Sequence, residues 1–168
     1  SSTARTFCGF LEGARQGMTS PNYPSIIRDL KSILQQECRI QSEYAGVTAE
    51  EAKNTTRFNA ARIEALALKR SDLCDRMEEL QGRRRTLVTE LCDGTEMKLS
   101  DAVEKCCLTQ DKKILFPIIQ RLKLLVHQAR GESRELGGLT SFSLSLVNSL
   151  VTLISSGGRQ VSRSYSRR

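Results

Sequence analysis

One apolar repeat in the last third of the chain limits what the rest can fold into. Between Leu115 and Leu153, twelve positions follow one another at alternating steps of three and four residues, and ten of them are apolar. They are Leu115, Ile118, Leu122, Leu125, Ala129, Glu132, Leu136, Leu139, Ser143, Leu146, Leu150 and Leu153. A 3.5-residue repeat keeps one side of an α-helix facing a partner helix. At about 1.5 Å per residue the segment makes a rod of roughly 60 Å, so other helices must lie along it.

A second segment with the same repeat lies near the start of the chain. It begins after two prolines, with Ser25 as a helix cap, and is expected to end near Gly46. We call the side of a helix formed by such a repeat its seam. The seam positions of this segment are Ile26, Leu30, Ile33, Glu37, Ile40, Tyr44 and Val47. Thr48 and Glu51 have the spacing of a capping box, which predicts that the next helix starts there. One long helix bent at Gly46 explains the pattern almost as well.

A third segment continues the repeat, with Arg70 and Arg84 interrupting an otherwise apolar seam. Its positions are Ile63, Leu66, Arg70, Leu73, Met77, Leu80, Arg84, Leu87 and Leu91. Arginine stems can lie along apolar surface while their heads reach solvent, which fits a bundle two or three helices thick. The run at 83–85 is all arginine, but Glu78, Glu79 and Glu90 flank it. It is interpreted as a solvated, ion-paired face rather than a nucleic-acid site.

The segment between the second and third long helices contains turn and cap signals. Asp93-Gly94 is expected to stop the second long helix, a short helix is predicted over Ser100–Cys107, and Thr109 can start the third long helix. Pro117 lies within the third seam and predicts either a first-turn position or a kink. Gly137-Gly138 predicts a bend or a close helix crossing further along.

Composition supports an all-α fold. Apolar content is 39%, charged content 27% and aromatic content 5%, with no Trp and three Pro, a profile typical of helical bundles. The third long helix is expected to end at Ser155–Gly158, where a Ser/Arg-rich stretch begins. We predict an elongated antiparallel helical hairpin or three-helix coiled-coil-like bundle over residues 25–157. Residues 1–24 are predicted to be poorly ordered and residues 158–168 to form a flexible, mobile basic tail.

The net charge of +7 is concentrated at the end of the chain. From Thr109 onward there are ten basic and three acidic residues, whereas the first 108 residues are neutral. Such a charge steers anionic partners, either nucleic acid or an acidic protein surface. Nucleic acid is the weaker interpretation, because Tyr165 is the only aromatic residue among the basic ones of the tail.

Catalytic and cofactor motifs are missing from the sequence. It has a single His, His127, no C-x-x-C, no carboxylate cluster and no glycine-rich phosphate loop. We therefore predict a protein that is not an enzyme and binds no metal or cofactor. The six Cys are interpreted as small buried or half-buried hydrophobes in a reducing cytosol, with their state left open. No apolar run reaches the roughly 18–20 residues of a membrane span, so no membrane insertion is expected.

The end of the third long helix is apolar over more than a narrow stripe. Its apolar positions are Leu144, Leu146, Val147, Leu150, Val151, Leu153 and Ile154. Either the first helix or a second copy of the chain covers this arc, or it is an exposed surface that accepts the amphipathic helix of a partner. The sequence alone leaves these alternatives even.

Several of these segments, in their order and spacing, carry a family resemblance. They are Ile33–Glu37, the run from Lys69 through Arg85, Ser143–Leu153 with its Asn148, and the tail Ser164–Arg168. Over about Ser25 to Arg168 the chain resembles the FlgN family of flagellar type III export chaperones. The strongest element is the apolar helix with Asn148, followed by a Gly/Ser linker and a basic tail with a Tyr.

The resemblance implies a non-enzymatic cytoplasmic chaperone. It would bind the helical C-terminal segments of hook–filament junction (hook-associated) proteins, prevent their premature assembly and deliver them to the export gate. It would place Leu144, Val147, Leu150, Val151 and Ile154 on the client-binding face, and Tyr165 at the export gate. The alternative is a structural coiled-coil scaffold or secretion-system stalk component that self-associates through its apolar seam. A weak homodimer is also left open.

Overall fold

Four helices account for most of the chain. The computed structural model describes the backbone of residues 22–165 and the side chains of residues 22–149, 151 and 152. The helices are α1 (Tyr23–Thr55), α2 (Ala60–Leu91), α3 (Leu99–Cys106) and α4 (Thr109–Tyr165), with no strand in the described part. The predicted all-α class is therefore confirmed. Of the segment 1–24, residues 1–21 lie outside the described residues, whereas Tyr23 and Pro24 already belong to α1.

The expected helix boundary at Gly46 and Thr48 is wrong, because α1 runs on without a break to Thr55. Thr48 is buried, and its Oγ1 donates a hydrogen bond to the Tyr44 carbonyl at 2.8 Å, one turn earlier. Its hydroxyl is thus used inside the helix and caps nothing. Beyond it, Glu51, Ala52 and Thr55 are also buried. Packing of these two turns against neighbouring helices outweighs the local capping signal.

The chain reverses its direction between α1 and α2 at residues 56–59. Phe58 has a positive φ of 53°, which lets the chain turn back within four residues. Asn59 then caps α2, since its side-chain oxygen accepts a hydrogen bond from the Arg62 amide at 3.3 Å. Asn is a favoured residue at this position. The second long helix therefore begins at Ala60.

Helix α1 lies between the other two long helices and packs along both, whereas α2 and α4 have few direct contacts. Helix α2 runs antiparallel to α1, because Arg84 pairs with Glu37 and Arg70 with Glu51. Helix α4 runs parallel to α1. At its start the Tyr23 hydroxyl donates to Asp111 and accepts from the Leu108 amide.

The predicted seams form the core. Leu66, Leu73 and Leu80 of α2 meet every second seam position of α1, namely Ile33, Ile40 and Val47, in one cluster. A larger cluster forms at the opposite end, where all four helices converge. Its buried members are Tyr23, Ile26, Leu30, Leu34, Cys38, Val88, Leu91, Cys92, Ala102, Val103, Cys107, Leu115, Ile119 and Leu122. Helix α3 seals this end with Ala102 and Val103, both fully buried.

Helix α4 differs from expectation at its far end. It continues through Pro117 and Gly137-Gly138 and ends at Tyr165, so the predicted helix end at Ser155–Gly158 is wrong. Glycine weakens a helix by about 1 kcal/mol relative to Ala but does not block its hydrogen bonds, and no proline follows. The mobility predicted for residues 158–168 stays a prediction. Among the described residues, no helix combines the length and the apolar character needed to cross a membrane.

The two arginines of the α2 seam do not simply reach for solvent, as the sequence suggested. Arg84 Nη1 lies 2.8 Å from Glu37 Oε2, and Arg70 Nε lies 2.8 Å from Glu51 Oε2. Both carboxylates belong to α1, and Glu37 is only 1% exposed. The polar interruptions in the two seams therefore face one another. Each buried carboxylate therefore lies beside a half-buried arginine rather than in an apolar surface.

Of the two acids, Glu37 is the one whose carboxylate is only partly hydrogen-bonded. Its Oε2 is bound by Arg84, but its Oε1 is buried without a hydrogen-bond partner among the described atoms. Burial raises the pKa of Glu37 above its ordinary value, and the charge of Arg84 opposes that rise. Arg84 therefore favours the ionised form of Glu37, against the effect of burial.

We expect Arg84→Met to destabilise the protein by roughly 3–5 kcal/mol at pH 7, because it leaves a buried carboxylate unpaired. The native pKa of Glu37 is raised, so the unfolded state gives up this proton more readily than the native state. The contribution of Glu37 is then fully favourable below the ordinary Glu pKa and is lost as the pH rises through the native pKa. Urea unfolding of the variant should therefore show the deficit shrinking from pH 7 to pH 4.5.

The matched control is the double variant Glu37→Leu/Arg84→Met, which removes both charges and keeps similar volume. It should unfold within about 1.5 kcal/mol of the parent at pH 7. It should also lack the extra pH dependence of the single variant. An Arg84→Met protein as stable as the parent at pH 7 would contradict this account of the pair.

Candidate functional site

Helix α4 is longer than the bundle that supports it. Its last buried residue is Leu136, followed by half-buried Leu139 and Ser143. Leu139 lies in a shallow hollow with Ala52 and Thr56, where α1 ends and the turn to α2 begins. From there the helix continues to Tyr165. We call residues 140–165 the arm; at 1.5 Å per residue it is roughly 40 Å long.

The arm carries large apolar side chains that no described residue covers. Phe142 is 63% exposed, Leu144 60%, Leu146 41%, Val147 49% and Val151 56%. Within the bundle, by contrast, the α4 seam position Leu115 is fully buried. The repeat that buries one side of α4 thus continues past the point where a partner helix is available. The interpretation that the first helix covers this arc is wrong for the described residues, because α1 ends too early.

The predicted client-binding residues fall on this arm. Leu144, Val147 and Val151 are exposed side by side on the helix. The side chains of Leu150, Ile154 and Tyr165 lie outside the described residues, although their backbone belongs to α4. The roles assigned to all six residues stay predictions.

The apolar side of the arm is wide. At 100° per residue, Phe142, Leu146, Val147, Val151 and Leu144 follow one another around roughly 200° of the helix. The polar side chains on the remaining side are small. They are Ser141, Ser145, Asn148, Ser149 and Thr152. A stripe for one neighbouring helix is narrower than this, so the arm has room for more than one contact.

Most of the arm is also uncharged, since no charged residue lies between Glu135 and Arg159. Its hydroxyl groups bond within the helix. Ser149 Oγ donates to the Ser145 carbonyl and Thr152 Oγ1 to the Asn148 carbonyl, each at 2.9 Å. These side chains therefore have less need of an outside partner for their polar atoms. Contact with another protein would be mostly apolar, with little to fix orientation by charge.

A groove of about 680 Å³ lies within the bundle, between α2 and residues 126–134 of α4, with α1 as its floor. Its apolar lining comes from all three helices: Ile40, Tyr44, Leu73, Met77, Val126 and Ala129. Glu78 and Arg85 on one wall and Arg130 and Arg134 on the other add charge. Sequence reasoning missed this groove, because it arises only from the spacing of α2 and α4 on either side of α1. Amphipathic seams alone carry no signal for it.

Other residues singled out in the sequence form no chemical site in the described structure. His127 lies exposed on α4. Across residues 22–149, no three His, Cys, Asp or Glu side chains come together in a way that could hold a metal ion. Five cysteines are free thiols, at positions 38, 74, 92, 106 and 107, whereas Cys8 lies outside the described residues.

The fold and the arm define an α-helical bundle protein with one uncovered apolar helix, the kind of surface on which amphipathic helices dock in other proteins. A family model described as FlgN protein matches residues 18–168. The chain therefore belongs to the FlgN family, a family of flagellar export chaperones rather than of enzymes. No curated protein and no solved structure matches the chain.

Amide hydrogen exchange should separate the arm from the bundle half of the same helix. Residues 115–136 pack against α1, whereas 140–152 have no tertiary support. Helices without packing are marginal in water, so amides of the arm should exchange at least about 100-fold faster than those of 115–136. The parent protein at low concentration, read by mass spectrometry of short peptides, gives both values at once. Equal protection of the two halves in a monomer would contradict an uncovered arm.

Proposed function

We propose that this chain is a cytoplasmic carrier for flagellar export that holds hook–filament junction proteins by their helical C-terminal segments. The uncovered apolar face of the arm carries the proposal, and membership of the FlgN family supports it. Bound to the arm, a client segment would keep its own apolar face covered. It could then not pair with other client copies, and the carrier would deliver it to the export gate unassembled.

An apolar arm suits a client that is itself an amphipathic helix. Full burial of a Leu, Val or Phe side chain contributes about 1.5–3 kcal/mol relative to leaving it exposed. Phe142, Leu144, Val147 and Val151 are each about half exposed or more, so together they would contribute several kcal/mol. Lost translational freedom and the ordering of both helices offset much of this gain. The resulting complex would be of moderate affinity, which suits a carrier that must release its load.

The arm variants Val147→Asp and Val151→Asp should each weaken binding of a C-terminal segment of a hook–filament junction protein by roughly 100-fold, because a charge would be desolvated in an apolar contact. Isothermal titration with a synthetic segment measures the effect. Circular dichroism and the thermal midpoint of the bundle should not change, since neither side chain packs in the core.

The matched control is Leu68→Asp, a similar change at an isolated leucine of α2 that is 68% exposed. It should bind the segment as the parent does. Unaltered binding by both arm variants would contradict the proposal. A parent that is dimeric in light scattering and becomes monomeric on Val147→Asp would instead favour the self-associating scaffold, which would use the same face.

The tail is proposed to act after capture. Tyr165 lies among four arginines, at 159, 163, 167 and 168, and would contact the export gate. These charges lie beyond the uncharged stretch that binds the client, so the two contacts need not compete. Capture and delivery would then depend on separate parts of one helix.

Deletion of residues 158–168 is expected to spare the fold and client binding but to reduce export of the client. Tyr165→Ala in the full chain should show part of the same loss, and Ser166→Ala is the neighbouring control. Circular dichroism, titration with the client segment and secretion of the client into the medium give the three readouts. Loss of client binding on deletion would show that the tail belongs to the capture surface.

A further inference from the structure

Two cysteines meet at the end of the bundle where all four helices converge, far from the arm. Cys92 is the first residue after α2, and Cys106 is the last residue of α3. Their sulfur atoms are 3.3 Å apart, with the Cys106 thiol directed at Cys92. Cys92 is buried in the core cluster and Cys106 is partly buried against it. The proposed function makes no use of either thiol.

The sulfurs are close to bonding distance. A disulfide joins sulfurs at about 2.05 Å, so a shift of little more than one ångström closes the gap from 3.3 Å. Both residues sit at helix ends, where side chains move without breaking a helix. The connection between them contains a tight turn, with Asp93 at φ 50° and Gly94 at φ 84°, which already returns α3 onto the end of α2.

We propose that Cys92 and Cys106 are a site of reversible oxidation, at which a low-molecular-weight disulfide such as oxidised glutathione converts the two thiols into one intramolecular disulfide. The bond joins the end of α2 to the end of α3. Because only Cys107 and Leu108 separate α3 from α4, the disulfide also restricts the N-terminal end of α4. No other pair among the described cysteines comes this close.

The remaining described thiols have other surroundings. The Cys38 Sγ is directed at the Ile118 carbonyl, 3.8 Å away, between α1 and α4. Cys74 is exposed on α2. Cys107 is buried, and the Tyr23 hydroxyl interacts with its thiol. The proposed site is therefore the pair Cys92 and Cys106. Because Cys107 is next to Cys106 in the chain, oxidation of Cys106 but not of Cys107 would show that the reaction is specific to the pair.

The reaction balances as two thiol–disulfide exchanges. Cys106, the more exposed sulfur, attacks oxidised glutathione, forms a mixed disulfide and releases one glutathione thiolate, which takes up the Cys106 proton. Cys92 then attacks the Cys106 sulfur, the second glutathione leaves, and the Cys92 proton goes to it. Two protein thiols are oxidised and one glutathione disulfide is reduced to two thiols.

The second exchange should be the slower one. Burial raises the pKa of Cys92 to about 12, so its sulfur is protonated at neutral pH and is a weak nucleophile. Burial likewise raises the pKa of Cys107 to about 11. Contact between Cys92 and Cys106 makes the closing step intramolecular, which favours it over attack by a distant thiol.

The test uses the full chain carrying Cys74→Ser, so that the exposed thiol cannot link two molecules. The protein is incubated with oxidised glutathione, blocked with N-ethylmaleimide and digested with trypsin without reduction. The expected product joins the peptide 86–98, which contains Cys92, to the peptide 106–112, which contains Cys106. The thermal midpoint should rise by about 5–10 °C, because the bond closes a loop of about 15 residues in the unfolded chain. Dithiothreitol should reverse both changes.

Further variants assign the bond. Cys107→Ser should keep the linked peptides and Cys106→Ser should lose them, with circular dichroism confirming that both fold. Glutathione that stays on Cys106, a link through Cys107 instead, or thiols that stay unmodified under conditions that modify Cys74 in the parent would each overturn the proposal. Client binding serves as an independent readout. Leu144 lies 35 residues along α4 from Thr109, roughly 50 Å away, so the bond should leave capture intact.

Discussion

The difference in length between α1 and α4 is the constraint on which the rest of the structure depends. Helix α1 has 33 residues and α4 has 57, and α4 packs mainly along α1. One apolar repeat therefore performs two tasks in succession along α4. Where α1 is present, the repeat builds a core, and where α1 ends, the same side chains become a surface. The arm needs no special sequence of its own, only the absence of a neighbour.

Where α1 ends relative to α4 depends in turn on buried polar contacts. Glu37 with Arg84 and Glu51 with Arg70 fix the register of α2 on α1, since a slip would leave buried charges unpaired. The Tyr23 hydroxyl, bonded to Asp111, fixes the start of α4 on the start of α1. Apolar seams alone tolerate such slips far better. The polar residues thus place the end of α1 beside Leu139, and they set how much of α4 is left uncovered.

The seams and the wide apolar arc at the end of α4 could be predicted from the sequence, because both follow from periodicity along one helix. That no described residue covers this arc follows only from where α1 ends. Leu115, Leu122, Ala129 and Leu136 are buried at the expected positions. Features that join distant parts of the chain could not be predicted. The capping box at Thr48 was misleading because burial of that hydroxyl depends on helices that lie elsewhere in sequence. The arginine partners, the groove beside α4 and the meeting of Cys92 with Cys106 have the same origin, since each exists only once the helices are assembled.

The bundle and the arm differ in how they would choose a partner. Inside the bundle, the contact between α1 and α2 contains charges that only the correct neighbour can match, and mispairing is penalised by desolvation. The arm has no charge between Glu135 and Arg159, so an incoming helix meets no such penalty and needs only an apolar stripe of its own. On the proposed function this loose requirement is useful, because clients that differ in sequence but share an amphipathic helix can use one surface. The cost is a lack of defined register, and recognition of one client over another must then come from contacts outside the arm. The groove between α2 and α4, with Arg85, Arg130 and Glu78 on its walls, is a surface that carries the charges such discrimination requires.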